Sequence, residues 1–304
     1  MLENHPRLRL LVVHGGLFLA TCLTTTLSYA ASMGGPPSIG LPFSATLMTI
    51  LLAHEMGHFV VARWHRVDVS LPYFIPLPFG LGTMGAVIRM REPVRSSSAL
   101  VEIGAAGPLA GLLVAIPCLC WGLYVSEVRP IVPGGMLEGN SLAYLSLKYL
   151  VKGEILPGHG RDVFLDPMAF AAWVGLLVTM INLIPIGQLD GGHIAYGYFG
   201  ERHDRASGLF HAALVPVGIL VMLAVTHEAR QGGLADALAT GVAAAAPWFV
   251  WTLMLGVMRR MSGGRWHPPV GEQPLSPRGR FVSKLVLVVF VLIFVPVPFR
   301  AAVP

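Results

Sequence analysis

The chain has 304 residues, of which 54% are hydrophobic and only 12% are charged, and its mean hydropathy is +0.67. Soluble globular proteins average about 25% charged residues, so this composition excludes an ordinary soluble domain and indicates a polytopic membrane protein. The net charge of +5 does not indicate a nucleic-acid partner, because the basic residues fall in short segments between apolar runs.

Apolar runs of about 18 residues or more predict membrane-spanning helices. The sequence therefore predicts an all-α polytopic membrane protein with about six to seven spans. We place the runs near residues 8–30, 43–64, 99–125, 168–187, 207–227, 234–258 and 281–299.

The distribution of the 21 lysine and arginine residues predicts an orientation. Cytoplasmic segments carry an excess of these residues, and most of them share the side of the N-terminus when the spans alternate across the membrane. We therefore expect a cytoplasmic N-terminus, with Arg63 and Arg66 and the segment 259–280 on the same side. That segment is rich in Gly, Pro and Arg and predicts a flexible basic linker.

The second span contains His54-Glu55-Met56-Gly57-His58, an H-E-x-x-H pattern inside an apolar run. Residues four apart share a face of a helix, so both imidazoles can bind one metal ion. Glu55 follows the first of them, within reach of a water molecule at that metal. Polar side chains at membrane depth are costly, so this motif indicates a functional site.

Residues 71–92 are apolar, but their prolines and glycines exclude a regular helix. We predict a small membrane-associated strand or hairpin here, with a strand between Thr83 and Met90. Non-helical backbone survives near a membrane only where protein or a water-filled cavity covers it. Two interpretations remain open: the strand edge pairs with an extended peptide, or the hairpin only joins two helices.

A catalytic zinc site usually has three protein ligands and a fourth position for water, so the two histidines need another ligand. Asp190 is the candidate, because it follows an apolar run that Pro185 and Gly187 interrupt. A broken helix is tolerated at depth where its backbone lines a cavity, and an aspartate is tolerated there beside a cation. The alternative is that Asp190 caps the next helix. His193 either lies at the membrane interface or contacts a metal ligand without binding the ion itself.

Together the two motifs resemble those of the site-2 protease family of intramembrane zinc metalloproteases. The family's second motif, N-x-x-P-x-x-x-L-D-G-G, is matched by Asn182, Pro185, Leu189, Asp190, Gly191 and Gly192. The segment Ala106-Gly-Pro-Leu-Ala-Gly111 is also similar to a small-residue segment of the family. The resemblance covers roughly residues 43–195.

The resemblance implies an endopeptidase that binds one Zn²⁺ ion and cuts transmembrane protein substrates within the lipid bilayer. The residues that it implies are the zinc ligands His54, His58 and Asp190, the general base Glu55, and the substrate-binding residues Asn182, Gly85, Ala86 and Val87. Family members often carry a PDZ or CBS domain, and we expect neither here because the outer loop, about 126–166, is short.

We therefore expect an N-terminal helix and outer loop at 1–42, a catalytic membrane core at 43–200, and C-terminal helices at 201–304 that include the basic linker near 259–280. The expected location is a bacterial inner membrane, with the N-terminus and the active-site opening towards the cytoplasm. Two alternatives are a catalytically silent membrane scaffold and a metal transporter. Glu55 beside a complete ligand set argues against both.

Overall fold

The computed structural model describes residues 6–92, 94–268, 270 and 274–302. Within these residues the protein is mostly helical, at 67%, with nine α-helices and a few short strands. The helices are α1 (Pro6–Ser32), α2 (Gly40–Trp64), α3 (Ser97–Val125), α4 (Leu142–Lys152), α5 (Pro167–Asn182), α6 (Asp190–Phe199), α7 (Arg202–Glu228), α8 (Leu234–Met261) and α9 (Pro277–Ile293). The strands are β1 (Tyr73–Pro76), β2 (Thr83–Val87), β3 (Glu127–Pro130), β4 (Met136–Glu138), β5 (Arg161–Phe164) and β6 (Phe299–Ala301). They pair as β1 with β2, β3 with β5, and β4 with β6.

Among the described residues, five helices are long and apolar enough to cross a membrane, namely α1, α2, α3, α7 and α8. They coincide with five of the predicted spans. The predicted fourth span is shorter than expected, because α5 ends at Asn182, ahead of Pro185 and Gly187. The predicted seventh span corresponds to α9, which has 17 residues. The expectation of a mainly α-helical polytopic membrane protein is confirmed.

The chain divides into two compact units, the first formed by the described residues of 1–94, 102–127 and 165–179. In this unit α1 and α2 approach closely. The hydroxyl oxygens of Thr25 and Ser44 lie 2.7 Å apart, and a Cβ on Gly40 would collide with the carbonyl oxygen of Thr26. Small residues and mutually satisfied hydroxyls are the usual means by which apolar helices pack in a membrane.

In the first unit, strands β1 and β2 form an antiparallel hairpin that packs against α1. His14 Nδ1 donates to the carbonyl of Pro72 at 2.8 Å, and Thr24 Oγ1 donates to the carbonyl of Gly82 at 2.7 Å. Since a helix rises about 1.5 Å per residue, the hairpin extends roughly 15 Å alongside the apolar part of α1. The hairpin predicted near 71–92 is therefore present, and it lies along a span.

The second unit consists of the described residues of 95–101, 128–164 and 180–304. Its apolar core joins α7 and α8 to the segment after α5, and it contains Ile184, Ile186, Leu214, Trp248 and Trp266. Trp266 belongs to the segment 259–280, of which residues 269 and 271–273 lie outside the described part of the chain. Trp266, in the described part of this predicted linker, is therefore packed into the core.

Contacts within the second unit agree with the predicted alternation of the spans. Strand β6 pairs with β4, which lies in the predicted outer loop, and Arg300 forms a 3.1 Å ion pair with Glu228 at the end of α7. The outer loop, the end of α7 and the segment after α9 therefore lie at the same end of the second unit. This is the arrangement that alternating spans require.

The predicted outer loop contains a buried ionic cluster that its polar sequence does not reveal. Lys148 is completely buried, and its Nζ lies 2.8 Å from Asp162 Oδ1 and 3.3 Å from Glu138 Oε1. Tyr144 Oη donates to Glu138 at 2.8 Å. Burial raises the pKa of the Glu138 carboxyl, and the Lys148 ammonium offsets this only in part. The fold of the loop therefore depends on one buried cation that forms ion pairs with two carboxylates.

We expect Lys148→Met to lower the free energy of unfolding by about 3–5 kcal/mol, because it leaves two buried carboxylates without a counter-ion. The variant should recover stability as the pH falls, because burial raises the pKa of Glu138 and the folded chain therefore takes up protons more readily than the unfolded chain. Denaturant unfolding followed by tryptophan fluorescence measures both effects.

The control is Glu154→Gln, which breaks the exposed 2.7 Å pair with Arg161 in the same loop. It should cost less than about 1 kcal/mol. Equal losses in the two variants would contradict the importance of the buried cluster.

Candidate metal centre

The polar residues of the H-E-x-x-H motif lie on α2 in the first unit and are buried. His54, Glu55 and His58 are 3%, 5% and 5% exposed. The Nε2 atoms of the two histidines are 3.2 Å apart. Two nitrogens that each lie about 2.05 Å from one tetrahedral zinc ion are separated by roughly 3.3 Å. The two imidazoles are therefore spaced as a pair of ligands to a single ion.

The His58 ring is oriented by the backbone of α3. Its Nδ1 lies 2.7 Å from the carbonyl oxygen of Ile103. Since a carbonyl only accepts, the proton of neutral His58 is on Nδ1, and Nε2 keeps a lone pair for a metal. Contacts of this kind fix the tautomer and direction of metal-binding histidines.

The helix that faces the motif leaves room for both imidazoles. A Cβ on Gly107 would collide with the ring of His58, and a Cβ on Gly111 would lie 3.4 Å from His54. The two glycines are four residues apart, as are the two histidines, so each ring faces one glycine. On α2 itself, a Cβ on Gly57 would collide with the carbonyl oxygen of Ala106. The small residues of 106–111 therefore shape the space that the histidines occupy.

Asp190 lies in the second unit, directly after the irregular segment that separates α5 from α6. Gly187 has a φ of +62°. A Cβ on Gly191 would collide with the carbonyl oxygen of Leu183, and one on Gly192 with that of Gly187. The break can therefore fold this closely only because these positions lack side chains. Asp190 is the first residue of α6, where the helix dipole favours a carboxylate.

The alternative interpretation, that Asp190 caps α6, does not fit the geometry of the helix start. The N-cap position is Leu189, with extended backbone, and its side chain makes no capping hydrogen bond. Asp190 itself already lies within the helix.

One group of histidine, cysteine or acidic residues within the described chain can hold a metal ion, and it consists of His54, His58 and Asp190. Each offers one ligand atom, and these atoms lie within 4.8 Å of one another. Two imidazoles and one carboxylate form a known ligand set of catalytic zinc, which leaves a further position for water. The donor set therefore suits zinc, with Glu55 beside it in sequence.

The remaining predicted residues lie in a helix end and in the hairpin. Asn182 is the last residue of α5. Gly85, with a φ of +95°, precedes Ala86 and Val87 in β2, where Ala86 is opposite Phe74. Among the described residues β1 and β2 form a sheet of two strands, so each has one edge without a strand partner.

Two features near the candidate ligands were not predicted. One is the Ile103 carbonyl that orients His58; sequence cannot identify such a contact, because every residue has a carbonyl. The other concerns His193, whose Nδ1 lies 2.7 Å from His267 Nε2. His267 follows Trp266 in the segment predicted as a linker, and a tryptophan among Gly, Arg and Pro is the signal that a packed segment was there.

Comparison with known proteins gives one family and several relatives. Residues 42–225 match the family described as Peptidase family M50. The chain is 29% identical over 265 residues to "Probable zinc metalloprotease EGY2, chloroplastic" of Arabidopsis thaliana, which covers 86% of this chain and 42% of that protein. It is 33% identical over 188 residues to "Probable zinc metalloprotease EGY1, chloroplastic" of the same plant, covering 60% of this chain and 33% of that protein.

A third relative is "Probable zinc metalloprotease EGY2, chloroplastic" of Oryza sativa subsp. indica, 28% identical over 255 residues, which cover 82% of this chain and 41% of that protein. The chain thus spans less than half the length of these curated relatives. No solved structure matches it.

We expect Gly107→Ala to lower the affinity for zinc roughly tenfold or more, because the added methyl would displace the Nε2 side of the His58 ring. Gly111→Ala is the matched control on the same helix, since its methyl would make an ordinary contact with His54. Zinc retained during dialysis against a competing chelator measures the difference. Equal retention in the two variants would show that Gly107 does not shape the site.

Proposed function

We propose that this chain, which belongs to peptidase family M50 (the site-2 protease family), is a zinc-dependent endopeptidase of membrane proteins. In this proposal it hydrolyses peptide bonds within or near the transmembrane segments of its substrates. The observation that carries the proposal is the buried pair of imidazoles, whose Nε2 atoms lie 3.2 Å apart, with the buried Glu55 next to His54 in the sequence. Buried acid and base groups are hard to explain in an apolar helix unless they act on something.

His54, His58 and Asp190 would hold the zinc ion. When bound, zinc polarises the scissile carbonyl and lowers the pKa of water towards about 7. Glu55 accepts a proton from the attacking water molecule as the oxygen bonds to the carbonyl carbon. It then donates that proton to the leaving nitrogen as the C–N bond breaks. One carboxylate thus serves as base and then as acid, and it ends the cycle in its starting state.

The hairpin in the first unit offers a strand edge with which the substrate can pair. A helical substrate hides its peptide bonds in backbone hydrogen bonds, so it must unwind before cleavage. In our proposal the unwound segment pairs with β2 near Gly85, Ala86 and Val87, which offsets part of that cost. Two observations favour this role: β2 has an edge without a strand partner among the described residues, and the hairpin lies along α1. Asn182 is proposed to lie near the scissile peptide bond.

The five long apolar helices support an integral membrane protein. We propose that the N-terminus and the opening of the active site face the side that carries most basic residues, which is the cytoplasmic side by the positive-inside rule. The relatives are named as chloroplastic plant proteins, so they do not support the expectation of a bacterial inner membrane.

Metal content and catalysis separate this proposal from its two alternatives. A catalytically silent scaffold would bind membrane proteins without cutting them, and a transporter would move zinc across vesicles. Neither needs a buried glutamate beside the metal ligands. A protease needs it, because a proton must move between water and the leaving nitrogen.

We expect Glu55→Gln to lower the cleavage rate of a tagged single-span membrane protein in proteoliposomes by a factor of about 10² to 10⁴, while zinc binding is retained. Mass spectrometry of the products and metal analysis of the purified chain give the two readouts. The control is Met56→Leu in the same motif, a volume-conserving change that should leave the rate near that of the unaltered chain. Persistent cleavage by Glu55→Gln would exclude the proposed chemistry.

A further inference from the structure

Residues 262–268 of the second unit, named the strap here, pack against the segment that carries Asp190. Trp266 and His267 are 3% and 4% exposed, although the surrounding sequence is rich in Gly, Arg and Pro. Such burial is unexpected in a flexible connection between two helices. The strap therefore has a defined place, and its contacts indicate what it does.

The strap contacts the chain immediately before Asp190. A Cβ on Gly187 would lie 3.5 Å from the ring of Trp266, so the indole covers that glycine. Gln188 Nε2 donates to Ser262 Oγ at 2.9 Å. Both contacts join residues more than 70 positions apart in sequence.

The strap also contacts the chain immediately after Asp190. His267 Nε2 lies 2.7 Å from His193 Nδ1, and the His267 ring stacks on Tyr196 with centroids 4.2 Å apart. His193 is three residues after Asp190 on α6, so the two share a face of the helix. The strap therefore contacts the chain on both sides of Asp190 in the sequence.

The strap is itself anchored to the helices on either side of it. The backbone N–H of Trp266 donates to Asp204 Oδ1 on α7 at 2.8 Å. Arg259, at the end of α8, lies over the Trp266 ring at 4.9 Å and donates from Nε to the carbonyl of Gly264 at 2.9 Å. The strap is thus fixed to α7 and α8. Its contacts can therefore hold the irregular segment 183–189 in a defined position.

The bond between His267 and His193 has a definite direction. His267 Nδ1 lies 2.6 Å from the carbonyl of Pro268, which can only accept, so the ring proton is on Nδ1 and Nε2 accepts from the Nδ1–H of His193. Burial lowers the pKa of His267 to about 3, and the neighbouring His193 contributes to the shift. His267 is therefore neutral at physiological pH and keeps this arrangement.

The segment 183–189 needs such support because it is not helical. A ligand on a helix is positioned by the regular hydrogen bonds of that helix, whereas a ligand that follows an irregular break takes its position from whatever packs on the break. We propose that His267 and Trp266 are positioning residues that set the place of the Asp190 carboxylate for metal binding. The proposal rests on the proposed function, in which Asp190 is a zinc ligand.

The test is His267→Phe in the whole chain, loaded with Co²⁺ in place of zinc. Phenylalanine keeps a ring to stack on Tyr196 but removes the acceptor for His193. We expect a changed visible absorption spectrum of the bound Co²⁺, and loss of zinc to a competing chelator roughly tenfold or more faster than from the unaltered chain. His267→Gln, which keeps an acceptor near the Nε2 position, should restore both properties.

A double substitution distinguishes positioning from general damage. If the two histidines act as one unit, His193→Phe combined with His267→Phe should be no worse than either change alone. The control is Arg265→Ala, which alters an exposed side chain of the strap and should leave spectrum and zinc loss unchanged. Thermal unfolding of each variant shows whether the fold is intact.

Each outcome has a distinct meaning. A folded His267→Phe variant that has the unaltered Co²⁺ spectrum and zinc retention would overturn the positioning role and leave the proposed function intact. The same holds if His267→Gln fails to restore the spectrum. An unaltered chain that binds no zinc would instead overturn the proposed function, and the role of the strap with it.

Discussion

The structure depends above all on how polar groups are accommodated inside apolar helices. In the first unit, two imidazoles and a carboxylate are almost completely buried on α2. The two rings fit there because α3 presents glycines where the rings approach and a backbone carbonyl where His58 needs an acceptor. The placement of the histidines on α2 therefore depends on the glycines of α3 that face them.

The same constraint explains the second unit. Asp190 follows a break at which backbone groups leave the helical pattern, and glycines at 187, 191 and 192 allow the chain to fold back on itself. An irregular segment of this kind is stable only if other parts of the protein cover it. The strap and the core around Trp266 provide that cover. The buried cluster around Lys148 follows the same rule, since each charge there has an opposite charge within reach.

The sequence predicted the fold class, the hairpin and the candidate ligands because each depends on a local pattern. Apolar runs gave the long helices, and the prolines and glycines of 71–92 excluded a further helix there. Pro185 and Gly187 gave the break before Asp190. The strap and the Lys148 cluster were missed because they depend on contacts between distant residues. Asp162 and Lys148 look like ordinary loop charges, and His267 meets His193 across 74 residues. Apart from the single tryptophan, Trp266, the composition of the strap is that of a linker.

We propose that two histidines of α2 and one aspartate at the start of α6 bind a single zinc ion. X-ray absorption at the zinc edge tests this most directly, on the purified chain loaded with one equivalent of zinc. We expect two imidazole nitrogens and a carboxylate oxygen at about 2.0–2.2 Å, with a further light atom in the remaining position. In an Asp190→Ala chain the carboxylate contribution should disappear while both imidazoles remain. Sulfur ligands, or an unchanged spectrum in that variant, would show that these three residues do not form the zinc site.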